Sequence, residues 1–422
     1  MRILVVSPYL PHPRATHGTG VFMDGLLKQL MIHHQITLLS FCDSDELQKA
    51  EDLRGLPIDV HTRHRPKGMQ KGVFRLFRLV VLRLVQMVQS VILWQPYYVR
   101  KYFDRGMARS IGELTGKTSF DIVQFEFAFM GQYARFARSG KLVLHEHDVA
   151  YRPSYRRFKN ASGVIQRFLR YCEWCRWARY EPRLVRQFDH VLTVTEQDRL
   201  LLLWLSRSKR ISYLPRGMHV PDTLPEFASR EPRTLLFVGT FDHQPNVDAA
   251  LWLARDILPD VARQFPDTIA YIVGANPPPE LIAMGADNPR LRVLGFVTDV
   301  IPYLERSAVF VAPLRFGGGV KLKIIHAMAR GIPVVTTKIG MEGIDGLGAD
   351  SALVGNTADS LVRHICAFLG DTQYAAHIGT RGWETARQFY SWGSVSRRIE
   401  GIYEEIQQPQ VESIPQTGHT KR

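Results

Sequence analysis

The chain opens on Arg2-Ile-Leu-Val-Val-Ser7, an apolar run without alternation, which predicts a strand covered on both faces. A proline-rich loop follows, then His17-Gly-Thr-Gly20, then residues 21–31 with apolar positions at helical spacing. Strand, glycine loop and helix in that order open a doubly wound nucleotide-type domain. Further strands are predicted at 36–41, 122–125, 141–145 and 191–195, with helical patterns between them, so the sheet is expected to be parallel. A second series starts at Thr234-Leu-Leu-Phe-Val-Gly239 and continues at 269–273, 291–294, 309–312, 333–336 and 352–354, with helices predicted over 246–258 and 320–329. Two successive α/β halves of nearly equal length result, divided in the proline-rich stretch 215–232. The expected domains are 1–217, 218–388 and a closing helix at 389–407 that returns to the first; residues 408–422 lack periodicity and read as a mobile tail.

Composition narrows the class. With 422 residues, 45% apolar and 22% charged, the chain reads as soluble and globular, not collagenous, disordered or multi-span. Four cysteines make no disulfide framework at this length. Cys172 and Cys175 form a C-x-x-C, but no second pair or histidine cluster completes a zinc site, and two half-buried helix thiols are expected. The apolar run 3–6 is too short for a secretory signal, so a cytoplasmic location is expected. The net charge of +14 suits an anionic partner: nucleic acid, an anionic membrane or a phosphorylated substrate.

One segment carries chemistry: Pro313-Leu-Arg-Phe-Gly-Gly-Gly-Val-Lys-Leu-Lys-Ile-Ile-His326. Three glycines between a strand and a helix let backbone amides approach a ligand closely. The helix dipole, Lys321 and Lys323 add positive charge there, which is the make-up of a diphosphate site.

This segment resembles the donor-binding signature of retaining glycosyltransferases of the GT-B fold, family 4, the "glycosyl transferases group 1" type. Residues 236–248, Leu-Phe-Val-Gly-Thr-Phe-Asp-His-Gln-Pro-Asn-Val-Asp, resemble the first strand and glycine loop of that family's C-terminal domain, with Gly239 at the turn. Residues 188–196 resemble the last strand of its acceptor domain. Tyr213-Leu-Pro-Arg-Gly-Met218 is similar to its linker turn, with Arg216 where the family has Asn. Phe389-Tyr-Ser-Trp-Gly-Ser and Ile402-Tyr-Glu-Glu-Ile resemble its closing helix. The resemblance implies two Rossmann-like domains facing across a cleft and sugar transfer from a nucleotide-diphosphate donor, with retention and with no metal or other cofactor. Lys323 takes the family's lysine position beside the leaving diphosphate; Gly317, Gly318, Gly319 and Lys321 support it, and Arg315 and Arg216 are further phosphate candidates. The family often carries two glutamates here; Gly318 and His326 stand in their places, and a neutral imidazole accepts only one ribose hydroxyl.

In the first half, Gly18 and Gly20 resemble the family's glycine loop. His147, in His145-Glu-His-Asp148, stands where family members place a histidine near the reacting sugar, and Glu126 ends the preceding strand. Two stretches invite a membrane reading. Between Val73 and Trp94 the chain is almost wholly apolar, with Arg75, Arg78 and Arg83 on one stripe, which suits an interfacial helix or a core helix. Between Arg152 and Arg186 ten Lys or Arg face two Glu, interleaved with aromatics, which resembles the membrane face of transferases that act on lipid-linked acceptors. No nucleic-acid motif accompanies it. A sugar-nucleotide 2-epimerase and a non-catalytic sugar-nucleotide-binding protein are the alternatives.

Overall fold

The computed structural model describes residues 1–15, 18–64, 73–344, 346 and 350–408; the side chains of 73–80 and the tail expected to be mobile from 409 onward lie outside the described residues. The chain divides into two compact units. One comprises Met1–Thr193, Arg199–Ser212 and the chain from Ser396; the other comprises Val194–Asp198 and Tyr213–Val395.

The first unit is built on a sheet of seven strands: β1 (Arg2–Ser7), β2 (Gln35–Cys42), β3 (Asp59–His64), β4 (Ile122–Glu126), β5 (Lys141–Glu146), β6 (His190–Thr193) and β7 (Ile211–Tyr213). Their order is β3-β2-β1-β4-β5-β6-β7, with β3 through β6 all parallel. The second sheet holds β8 (Glu231–Val238), β9 (Ile269–Val273), β10 (Leu291–Gly295), β11 (Ser307–Ala312), β12 (Val334–Thr336) and β13 (Leu353–Val354). It runs β10-β9-β8-β11-β12-β13, again parallel throughout. Central strands such as β1 and β11 bury nearly every residue, which is why they read as unbroken apolar runs. The sequence pattern missed β3 and β7. Both sit at sheet edges, and β3 (Asp-Val-His-Thr-Arg-His) is half-exposed and polar.

In both sheets the strand order reverses beside the first strand, between β1 and β4 and between β8 and β11. Connections leave in opposite directions there, and a crevice opens at the carboxyl ends of the strands. The helix predicted over 246–258 is a composite. An α-helix (Gln244–Trp252) passes through one π turn (Leu253–Ile257) into a second α-helix (Leu258–Gln264). Pro259 has no amide to donate to the previous turn, which accounts for the irregularity. Trp392–Gln407 begins in the second unit and counts with the first from Ser396. There Tyr403 donates to Gln124 Oε1 at 2.5 Å and Gln407 to the Asp121 carbonyl at 2.7 Å.

Candidate active site

At the reversal point of the second sheet, β8 ends at Val238 with Gly239 next in the chain, and β11 leads through Pro313 into the glycine loop. Gly317 and Gly319 have φ of +127° and +73°, a region open to glycine without strain, so the loop turns sharply before the Leu322–Ala329 helix. That helix starts two residues later than predicted, because Lys321 still has non-helical backbone. Its first amides have no acceptor within the helix.

Lys323 occupies the first turn. Its Nζ donates to Asn246 Oδ1 at 2.6 Å and lies 4.7 Å from the centre of the Phe237 ring. Asn246 in turn donates through Nδ2 to the Thr240 carbonyl at 2.7 Å. The cation is thus held by a neutral amide and an aromatic face instead of a carboxylate. Burial pushes the Lys323 ammonium down to about 7, and the Lys321 charge pushes the same way. An ammonium kept short of negative charge is poised to gain from an arriving anion. Lys321 is buried, not a solvated surface charge, and its Nζ donates to the Gly319 carbonyl at 2.8 Å, bracing the turn.

The other candidates divide. Arg315 is drawn to a carboxylate: its Nε donates to Asp248 Oδ2 at 2.9 Å, and its guanidinium lies 4.9 Å from the centre of the Trp252 ring. Asp248 raises its pKa further. Arg216 is half-buried in the chain that follows β7. His326 lies three residues beyond Lys323 on the same helix, and its side chain reaches solvent. Desolvation by the protein around it still lowers its pKa, and the Arg330 charge pushes the same way.

At the reversal point of the first sheet, β4 ends on Glu126 and β5 on Glu146, followed by His147. His147 Nε2 lies 2.6 Å and His145 Nδ1 3.1 Å from the same oxygen, Glu126 Oε2. Gln124 donates to Glu126 Oε1 at 2.6 Å, and Tyr403 donates to Gln124. All three members of the Glu-His-His group are buried. Phe22 and Phe127 lie against the His147 ring, and Phe127 has φ of +71°, an uncommon backbone conformation for a non-glycine residue. Burial alone would raise the Glu126 pKa, but the two histidines outweigh it and hold the carboxyl well below its usual range. Among the described residues this is the one group whose ligand atoms, within 4.8 Å of one another, could hold a metal ion. The sequence reading named His147 and Glu126 separately and missed the third member, His145. Gly18 and Gly20 form the first turn of the Gly18–Leu30 helix, not a loop before it.

Residues 232–371 match the family described as "Glycosyl transferases group 1". The chain is 30% identical over 177 residues to the O-antigen chain mannosyltransferase B of Escherichia coli, covering 40% of this chain and 45% of that protein. It is 24% identical over 326 residues to the GDP-mannose-dependent alpha-(1-6)-phosphatidylinositol monomannoside mannosyltransferase of Mycolicibacterium smegmatis, covering 69% of this chain and 78% of that one. Among solved structures, Anabaena Alr3699/HepE in complex with UDP superposes with a TM-score of 0.64 at 15% identity, over 96% of this chain and 100% of that chain. The chain is a glycosyltransferase of the GT-B fold, and its group 1 domain is the one that holds Lys323 and the glycine loop.

Proposed function

We propose that the protein moves a hexose from a nucleotide-diphosphate sugar to a glycan or lipid-linked acceptor, with retention at the anomeric carbon and without a metal, at the cytosolic face of a membrane. The observation that carries this reading is Lys323, a half-buried cation with no carboxylate among its hydrogen-bond partners in the described residues, beside a glycine turn and a helix start. Breaking the sugar–phosphate bond builds negative charge on the departing diphosphate. Preorganised cations and amides at that point lower the barrier without reorganising, usually the largest catalytic contribution. Lys321 keeps the turn in shape and adds charge. His147 Nε2 is bonded to Glu126, so its part toward the sugar falls to Nδ1 or its backbone, with Glu126 as positioning residue.

The names of two relatives specify mannosyl transfer, which makes GDP-mannose the first donor to test. The lipid acceptor in one of those names and the basic segment between Arg152 and Arg186 support a membrane-borne acceptor. Among the described residues no helix is long and apolar enough to cross a membrane. The test is incubation with GDP-mannose, and with UDP-glucose as comparison, following nucleoside diphosphate release and the anomeric configuration of the product. Release with a retained anomer, unchanged by EDTA, supports the proposal. Inversion, or loss of activity in EDTA, overturns the corresponding part. An epimerised sugar or binding without turnover would favour the epimerase or the non-catalytic reading.

A further inference from the structure

The first unit contains a cavity of about 710 Å³ that the donor chemistry leaves unused. Its walls come from the Val73–Ile92 helix, the Tyr97–Lys101 helix, the Tyr151–Lys159 helix and the Val164–Val185 helix. Its size falls within the range of small-molecule sites, about 300–1,000 Å³. Leu84, Met87, Val91, Leu169 and Trp177 give it an apolar lining. Four arginines also line it: Arg83, Arg157, Arg170 and Arg176.

Among the described lining residues only Glu173 offsets that charge, leaving a net of +3 (four minus one). Glu173 accepts from the Tyr97 amide at 3.0 Å and from Arg176 at 3.0 Å. Arg176 Nε is buried without a hydrogen-bond partner, and Arg157 and Arg170 have no carboxylate partner among the described residues. Guanidinium groups short of carboxylates favour a phosphate, which they bind through paired, charge-assisted hydrogen bonds.

The surroundings specify what carries that phosphate. Val81, Leu82, Val85, Val88 and Ile92 are exposed on the first helix, so its described half is no core helix. On the Val164–Val185 helix, Val164 and Ile165 are 86% and 78% exposed. Contiguous exposed apolar surface of this kind marks an interaction site. A nucleic acid would leave the apolar walls unused, and a second copy of this chain would bring like charge to like. A long apolar chain ending in a phosphate satisfies both halves. The cavity is also tied to the His147 loop: Glu181, one turn beyond Trp177, accepts from the Ala150 and Tyr151 amides at 2.5 and 3.0 Å.

We propose that this cavity binds a lipid phosphate, its head on Arg157, Arg170 and Arg176 and its chain along Leu84, Met87 and Leu169. Its identity as the acceptor's anchor rests on the lipid-linked reading above. The test titrates the full chain with dodecyl phosphate below its micelle concentration, with dodecyl maltoside and with inorganic phosphate, following tryptophan fluorescence. Dodecyl phosphate should bind at least roughly tenfold tighter than either comparison. Arg157→Gln with Arg170→Gln should erase that preference, and Met87→Glu should weaken both amphiphiles. GDP binding should stay unchanged in every variant, which reports that each has folded. Equal binding of inorganic phosphate, equal binding of the two amphiphiles, or an undiminished preference in the double variant would overturn the proposal. If dodecyl phosphate binds as stated but no lipid-linked acceptor is glycosylated, the acceptor reading fails and the binding site stands.

Discussion

A Cβ added to Gly239 would stand 2.7 Å from Lys323 Nζ, so the ammonium occupies the space that any other residue at position 239 would fill. The same Cβ would meet Asn246 Cγ at 2.8 Å, the residue that holds the ammonium. Gly239 and Lys323 are 84 positions apart (323 − 239), and the adjacency of β8 and β11 brings them together.

Lys323→Ala should lower kcat by about 10²–10³, as for one lost preorganised donor, with the fold intact. Gly239→Ala should also lower kcat, because the flexible lysine end gives way first, while the thermal midpoint moves little. Steady-state kinetics beside thermal unfolding checks both. A Lys323→Ala variant that keeps more than half its turnover would remove this residue from the mechanism.

Lys323 also sets a pH dependence. Its pKa of about 7 in the ligand-free protein rises when a diphosphate arrives, so binding takes up a proton above neutrality. Nucleoside diphosphate affinity should therefore fall as pH rises from 7, and Lys323→Gln should lose that component. Calorimetry in buffers of different ionisation enthalpy reads the proton directly. The stability sign is opposite to that of a paired lysine. A depressed folded pKa costs stability at and below pH 7, and the cost fades toward pH 10.5. Lys323→Met should accordingly raise the thermal midpoint of the ligand-free protein at pH 7 and gain less at about pH 10.

His326→Glu should tighten nucleotide binding, since an ionised carboxylate accepts charge-assisted bonds from both ribose hydroxyls. Titration with GDP and with its 2′-deoxy analogue checks this. A gain that persists with the deoxy analogue, or weaker binding of GDP, would show that position 326 does not read the ribose.

Glu126→Gln removes the carboxylate on which His145 and His147 converge. Breaking a buried charge group in this way should destabilise the protein by about 3–5 kcal/mol. In the native protein the Glu126 contribution is present above its unfolded pKa and is lost as pH falls through the lower folded value. The gap between native and variant denaturation midpoints should therefore narrow in acid. A variant as stable as the native protein at pH 7 would refute the role given to this carboxylate.

The local sequence determined most of the strands, because strands covered on both faces need unbroken apolar runs, and β1, β8, β9 and β11 supply them. It also determined the glycine turn, since its φ angles of +127° and +73° favour residues without a side chain. The tertiary structure decided which groups meet. Asn246 holds Lys323, Asp248 holds Arg315, and His145 joins His147 on Glu126 through the pairing of β4 with β5. The edge strand β3 escaped the sequence because a half-exposed edge needs no apolar run, and β7 because its three residues are too few to make one. The same holds for the Val73–Ile92 helix: its pattern suits core or surface equally, and the exposure of Val81 through Ile92 follows from which neighbours cover it. Spacing along a chain encodes local geometry, whereas a charge's partner and a helix's cover depend on residues far away in sequence.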